Sequence, residues 1–395
     1  MTEPTAAPER RINLLDRDWY AGDPYADYAW LRENAPVYYS EEAGVWGLTR
    51  HADVSFAERN PEIFSSAAGS RPKVGPQPSM IDSDDPQHYR RRKLVSKGFT
   101  PRQINAMEEH VREIVTTLIA RMLAQPERRA DLVRQFAAPL PMTLIGELLG
   151  VEHDHLDQLQ HWADVMVMLS DGGELSYKAG EAFTEYVEYT TKVIENRRAN
   201  PGTEDLIGIL VHAEIDGEKL DFSELIGESL LLLVGGNETT RNVISGGLAQ
   251  LIAHPDQMAR LREDPSLIPT AVEECLRWVS PVVNMARKTT RDVEISGVTI
   301  PAGETVMLLY GAANRDPEVF ADPETFNAFR TPNNHIAFGN GPHFCLGSSL
   351  ARLEIRVAFE EILKRLPDLN LAEGTELRYH PSSFIRDLAE MPVTF

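Results

Sequence analysis

Residues 338–347 read Phe-Gly-Asn-Gly-Pro-His-Phe-Cys-Leu-Gly, a stretch that admits very few backbone paths. Gly339, Gly341 and Pro342 cluster just ahead of Cys345, so the chain there is held in a tight, irregular loop. Leu346, Leu350, Leu353 and Val357 follow at spacings of three and four, the pattern of an amphipathic helix. Cys345 therefore stands at a helix N-terminus, where free amides and the macrodipole favour a thiolate. The only other cysteine, Cys275, reads as a small buried hydrophobe. Two cysteines are too few for a disulfide framework.

A second unusual segment lies inside a long helical pattern, Phe222 to Ala253, which begins near Ser223 and stops before His254-Pro255. Its middle reads Gly235-Gly236-Asn237-Glu238-Thr239-Thr240. Each interior glycine costs about 1 kcal/mol against alanine, and the threonines add to that. Close helix packing is one explanation of such a weak point. Beside the cysteine loop, a functional one is preferred.

Helical periodicity runs from Pro101 to Trp278, as in Ile104, Met107, Val111, Ile114 and Leu118. Val293 to Leu309 alternates instead, with turns at Gly297 and at Pro301 to Gly303, and reads as a small antiparallel sheet. The expected fold is mainly α with a minor antiparallel β portion. No repeat or linker divides the chain, so one domain over 1–395 is expected, with 1–17 a poorly ordered tail. The irregular stretch Ser65 to Pro86 reads as a functional loop. A formal net charge of -21 opposes binding to nucleic acid or anionic membranes. Met1 to Arg11 has no apolar h-region, and the strongest apolar run, Leu230 to Val234, is too short to cross a bilayer. No membrane anchor and a cytoplasmic setting are expected.

The loop carrying Phe338, Gly341, His343, Cys345 and Gly347 resembles the cysteine-ligand loop of the cytochrome P450 family, and the resemblance extends from about Asp18 to Phe395. It implies one mainly helical domain holding haem b (iron protoporphyrin IX), with Cys345 as axial ligand. A thiolate there donates electron density that promotes O–O cleavage. The resemblance makes Gly235 to Thr240 the distal helix, with Glu238 the acid and Thr239 the alcohol of oxygen activation. Splitting dioxygen takes two protons on its outer oxygen. A hydroxyl can hold a water there while a carboxylate relays protons from bulk. Asn237 carries no catalytic role.

The same resemblance assigns haem propionates to His88 and Arg92, one helical turn apart, and to Arg287 and His343. Phe338 and Gly347 belong to the cofactor loop. Glu274 and Arg277, at i and i+3, match a family motif whose third member is Arg330, and all three are expected to be structural. Candidate substrate contacts are Met80, Ile81, Leu231, Val234 and Gly235, then Val282, Val283, Asn284, Phe384 and Ile385. Met166 or Met168 can line the roof, although plain core is the expected role for either, and two residues apart they cannot share a helix face. This lining is nearly all apolar, which argues for a lipophilic substrate.

The implied reaction inserts one oxygen atom from O2 into an unactivated C–H bond. Electrons come from a ferredoxin and its ferredoxin reductase. The basic run Arg90 to Lys93 with Lys97 is either a solvated face or a docking patch for that donor, with Arg92 turned inward. Residues 78–86, 235–241 and 335–339 resemble actinobacterial enzymes that oxidise steroid side chains, so terminal hydroxylation of a sterol or branched-chain lipid is expected. A polyketide or terpenoid tailoring hydroxylase is the alternative, and a haem-based sensor the non-enzyme one. Peroxide-driven hydroxylases replace the acid–alcohol pair, so Glu238 and Thr239 argue against that class.

Overall fold

The computed structural model describes residues 10–168, 175–202, 205–214 and 217–395. The N-terminal part contains α1 (Arg17–Ala21), α2 (Tyr25–Asn34), β1 (Val37–Ser40), β2 (Val45–Leu48), α3 (His51–Arg59), β3 (Phe64–Ser65) and α4 (Gln87–Val95). A helical middle follows: α5 (Pro101–Ala106), α6 (Glu108–Leu123), the short strand β4 (Arg129–Asp131), α7 (Pro139–Leu148), α8 (Leu156–Val167), α9 (Leu175–Ala199) and α10 (Leu206–His212). Next come α11 (Phe222–Ala253), α12 (Pro255–Glu263) and α13 (Ile268–Val279). The last part holds β5 (Asn284–Thr289), β6 (Val293–Ile295), β7 (Val298–Ile300), β8 (Thr305–Leu309), α14 (Tyr310–Ala313), α15 (Ser348–Arg365), β9 (Asn370–Leu371) and β10 (Pro392–Thr394). No helix among the described residues is long and apolar enough to cross a membrane.

The architecture is mainly helical and turns on α11. A capping box starts this helix. Asp221 Oδ1 accepts from the Glu224 N–H at 2.9 Å, and Glu224 Oε2 accepts from the Asp221 N–H at 2.9 Å. At 1.5 Å per residue, its 32 residues reach about 48 Å. It packs against α7 and α8 as well as α13 and α15, so apolar residues are buried on several faces rather than one stripe. Cys275 is fully buried beside it, where a Cβ on Gly247 would stand 2.9 Å from the Cys275 sulfur. That is the packing role expected of this cysteine.

The main sheet has the order β1-β2-β8-β5-β3. The alternation over 293–309 resolves into two parts. β6 and β7 form an isolated antiparallel hairpin, whereas β8 leaves it to pair antiparallel with β5 and parallel with β2. That parallel pair joins strands more than 250 residues apart, which local periodicity cannot reveal. Residues 10–17 depart from the expected loose tail. Ile12 and Leu14 are buried, and the Ser40 hydroxyl donates to the Ile12 carbonyl at 2.8 Å. Asp16 caps α1. Residues 1–9 lie outside the described residues.

Glu274 and Arg277 on α13 have side chains with no solvent exposure. The pair is bidentate, at 2.7 and 2.8 Å, and Arg330 Nε donates to the same carboxylate at 3.1 Å. Arg277 also donates to the Asn314 and Pro323 carbonyls, and Arg330 to those of Ala321, Asp322 and Thr325. Two guanidinium groups thus gather the irregular chain between α14 and the cysteine loop onto one buried carboxylate.

Removing one partner of such a network leaves a buried charge uncompensated, at a cost of roughly 3–5 kcal/mol. Arg277→Met should therefore lower the unfolding free energy in urea by about that amount, and Arg277→Lys by less. A change under about 0.5 kcal/mol for Arg277→Met would show the network to be dispensable.

Candidate active site

The cysteine loop is closed on itself by main-chain bonds. The Cys345 N–H donates to the Phe338 carbonyl at 2.8 Å, and the Phe344 N–H to the Gly341 carbonyl at 3.1 Å. Gly339 and Gly341 both have φ of 70°, the left-handed region that glycine enters without strain. A Cβ on Gly341 would also fall 2.3 Å from the Glu58 carbonyl oxygen, so no other residue fits there. Phe338 packs edge-on to Phe344, with Arg352 over its ring at 4.6 Å. A Cβ on Gly347 would meet nothing within 4 Å.

Cys345 precedes α15, and its sulfur accepts from the Gly347 and Ser348 amides. The helix-terminus argument predicts a depressed thiol pKa. Burial outweighs it: the thiol is pushed up, against the pull of those amides, Arg92 and Arg352. A metal bound at this sulfur would displace the thiol proton and so supply the thiolate.

Four basic side chains meet beside the loop. His88 on α4 and His343 stack with ring centroids 4.1 Å apart. Arg92 donates to the Phe344 carbonyl at 2.5 Å, and the buried Arg287 on β5 to that of Ala286 at 2.8 Å. Burial, then the charges of Arg287, His88 and Arg92, push His343 well down toward its neutral form. Burial also lowers His88, whose Nε2 is buried without a partner.

An unpaired ring nitrogen and two guanidinium groups ask for an acidic ligand. The two propionates of a haem would supply it. No group of three or more His, Cys, Asp or Glu among the described residues could hold a bare ion. A single thiolate suits a metal that brings four ring nitrogens of its own. Cys345 would hold such an iron, and His88, Arg92, Arg287 and His343 its propionates.

On the α11 side lies a cavity of ≈ 370 Å³. Ile81, Leu231, Val234, Gly235, Val282, Phe384 and Ile385 line it, together with Thr239. Three sequence candidates do not. Met80 is buried in the apolar cluster with Leu94 and Val95. Val283 turns to the opposite cluster, with Leu14 and Tyr20. The Asn284 amide donates to the Ser383 carbonyl at 2.8 Å and the Tyr20 hydroxyl at 3.2 Å. Successive residues of an extended chain point to opposite sides, which turns Val283 away from Val282, while its two hydrogen bonds hold the Asn284 amide off the cavity. Met166 does line the cavity, whereas Met168 is exposed. The pattern also missed Arg71, Phe183, Phe222 and Met285 in the lining. Arg71 stacks over Phe384 at 3.9 Å.

A Cβ on Gly235 would meet nothing within 4 Å, so the helix leaves open space there. The Thr239 hydroxyl faces that space and donates to the Gly235 carbonyl at 2.8 Å. Glu238, its neighbour, points away. It is 1% exposed and ion-paired with Arg241, which also reaches Asp164 at 3.2 Å and Asp387 at 2.9 Å. Burial raises its carboxyl to about 8, with Asp164 and Asp387 adding to the rise and Arg241 opposing it.

The basic run divides differently from expectation. Arg91 is the buried one, paired with Glu224 at 2.6 Å and donating to the Ser79 carbonyl at 3.1 Å. Arg90 pairs with Glu218, while Lys93 and Lys97 are exposed. Glu58 was missed because nothing local marks it. On α3, it accepts from the Tyr310 hydroxyl at 2.6 Å and from the Asn340 amide, and so clamps the cysteine loop from below.

The cytochrome P450 family model matches residues 51–376. The steroid C26-monooxygenase of Mycobacterium tuberculosis is 44% identical over 396 residues, spanning 99% of this chain and 98% of its own. The methyl-branched lipid omega-hydroxylase of Mycobacterium bovis is 39% identical over 422 residues, 100% of this chain and 97% of its own. A Mycobacterium marinum cytochrome P450 solved in complex with pseudoionone superposes with a TM-score of 0.91 at 33% identity, covering 99% of this chain and 100% of that one.

Burial holds the Glu58 carboxyl up at about 7, against an ordinary 4.5. A raised carboxyl keeps its proton in the folded state where the unfolded chain has lost it. Stability from this group is therefore complete below about 4.5 and declines as pH rises to about 7. Glu58→Gln cannot titrate. Across that window the wild type should lose, relative to the variant, on the order of 1–3 kcal/mol of unfolding free energy. Parallel urea-unfolding profiles for the two proteins would contradict the assignment.

Proposed function

Because the chain belongs to the cytochrome P450 family, we propose that it is a haem-thiolate monooxygenase that hydroxylates a terminal methyl of a sterol or methyl-branched lipid. The observation that carries this reading is the shape and lining of the cavity. Its wall follows α11 from Phe222 to Thr239, and 18 residues of helix make about 27 Å. Leu230, Leu231, Val234, Val282 and Ile385 make most of that wall apolar. An elongated, lipophilic molecule fits such a space better than a compact polar one. The names of two relatives, C26 of a steroid and the omega position of a branched lipid, put the oxygen at a chain end.

Haem b, when bound, would supply the dioxygen chemistry, and Cys345 is the residue that would hold its iron. The remaining tasks fall to the protein. Gly235 leaves room for a slim chain terminus beside the Thr239 hydroxyl. That hydroxyl, already donating to the Gly235 carbonyl, keeps its lone pairs free to accept from a water and hold it in place. Glu238 stores a proton behind it. The apolar walls exclude bulk water, and burial of ring carbons gives affinity at about 25 cal/mol per Å² before ordering costs.

Ferredoxin, reduced by its reductase, is the proposed electron donor. Lys93 and Lys97, exposed beside the Arg92 that bonds the cysteine loop, are the cations that would meet an acidic partner.

Cholest-4-en-3-one should shift the ferric Soret band by displacing water from the iron, and should be hydroxylated at a terminal methyl. Val234→Phe, which fills the space next to Gly235, should abolish that turnover. If macrolides or small terpenes shift the band and sterols do not, the tailoring reading replaces this one.

A further inference from the structure

If Glu238 supplies protons for oxygen activation, it must be recharged from solvent, yet its side chain is 2% exposed. The structure shows what surrounds it. From α8, Gln160 Nε2 donates to Asp164 Oδ1 at 2.7 Å and to Glu238 Oε1 at 3.4 Å. From α11, Arg241 spans the same two carboxyls, Nη1 to Asp164 and Nη2 to Glu238, and Asn237 Nδ2 donates to Glu238 Oε1 at 2.8 Å. From the C-terminal segment, Asp387 reaches Arg241 at 2.9 Å with one oxygen and His380 Nδ1 at 2.9 Å with the other.

Three carboxyls therefore face one guanidinium and one imidazole. Arg241 stays charged and cannot carry a proton. His380 is held toward its charged form by Asp387 and offsets that carboxylate. Glu238 and Asp164 are left to compete for Arg241. Burial, with the charges of Asp164 and Asp387 and against that of Arg241, pushes the Glu238 carboxyl up toward its protonated form, and Gln160 and Arg241 hold it beside Asp164. Asp164 is 41% exposed, so one end of this pair is dry and the other wet.

We propose that Asp164 is the group through which Glu238 exchanges its proton with bulk water, with Arg241 and Gln160 as positioning residues that hold the two carboxyls together. The inference rests on Glu238 being the acid of the proposed function. In one cycle Asp164 takes a proton from water and passes it to Glu238, as Glu238 releases its own toward the water at Thr239. One proton enters and one leaves, and no charge is stranded inside. Asp164 also stands two residues before Met166, a wall of the cavity, so the helix that contacts substrate carries the entry point.

The test uses the full-length, haem-loaded protein with Asp164→Asn, Asp164→Glu, Glu238→Gln and His380→Gln. Asp157→Asn, exposed on the same helix, is the control. The first readout is the infrared band of a protonated buried carboxyl, followed against pH in the ferric protein. Glu238→Gln should remove one component of that band and leave those of Glu58, Glu228 and Glu354, which burial also raises. Asp164→Asn should keep the Glu238 component but lower the pH at which it disappears, because a neighbouring negative charge is gone. The second readout is the solvent deuterium isotope effect on substrate-saturated turnover. Asp164→Asn should slow turnover roughly tenfold or more and enlarge the isotope effect, with Asp164→Glu restoring most of both.

A substrate-induced Soret shift that stays at wild-type affinity shows that the pocket is intact. If Glu238→Gln slows turnover while Asp164→Asn matches wild type in band, rate and isotope effect, the inference falls and the proposed function stands. If His380→Gln rather than Asp164→Asn reproduces the slow phenotype, uptake runs through the C-terminal segment and the inference is likewise wrong. If Glu238→Gln itself is unaffected, the acid assignment fails and takes this inference with it.

Discussion

Glu274 has no contact with solvent, and it accepts from Arg277, Arg330, the Asn333 side chain and the Asn327 amide. Everything on the cysteine side of the molecule hangs from that carboxylate. The chain from Asn314 to Asn333 has no regular hydrogen-bonding ladder of its own, and the two guanidinium groups supply donors for its carbonyls instead. Five residues beyond Asn333 the cysteine loop begins. A loop that must present one sulfur at a fixed point needs rigid anchors at both ends. The buried ion network is the first and α15 the second. Glu58, reaching up from α3, braces the loop between them.

The opposite wall depends on a different compromise. α11 is long and well capped, yet it accepts two adjacent glycines where it borders the cavity. The two do different things: a side chain at 235 would narrow the cavity beside Thr239, whereas Gly236 lets α7 pack closely, with Ile145 3.1 Å from where a Cβ would stand. Two residues further, the helix turns Glu238 into a charged cluster behind that wall. Acid and alcohol, adjacent in sequence, thus occupy different environments, one a dry ion cluster and the other the cavity. Carboxyls raised by burial keep protons at neutral pH that exposed ones would lose. Proton storage and substrate contact can then vary independently.

How legible this was depended on whether the signal was local. The cysteine loop, the bounds of α11 and the Glu274–Arg277 spacing are local patterns with local causes, namely glycine torsions, a capping box and a one-turn ion pair. The cavity was legible only in part. The resemblance marked whole segments: Ile81, Val234 and Phe384 in them do line the cavity, but which residue of a segment turns inward, Ile81 rather than Met80 or Val282 rather than Val283 and Asn284, is set by the packing around it. Phe183 and Phe222 come from helix positions with no mark at all. The sign of the Cys345 shift was also beyond reach, since it weighs helix-terminal amides against burial created by the whole fold. Arg91 also departed from expectation, turning inward as a buried ion pair while Arg92 kept its place at the cysteine loop. Both sit on α4, and only the position of Glu224 draws Arg91 inward.

The central claim is that Cys345 ligates haem iron as a thiolate. The absorption spectrum of the ferrous–CO complex tests it most directly, because thiolate donation moves the Soret band to the red of its position with a neutral ligand. The account predicts the red-shifted band in the wild type and in Cys275→Ala, and its loss in Cys345→Ala. A red-shifted band that survives Cys345→Ala, or disappears in Cys275→Ala, would contradict it.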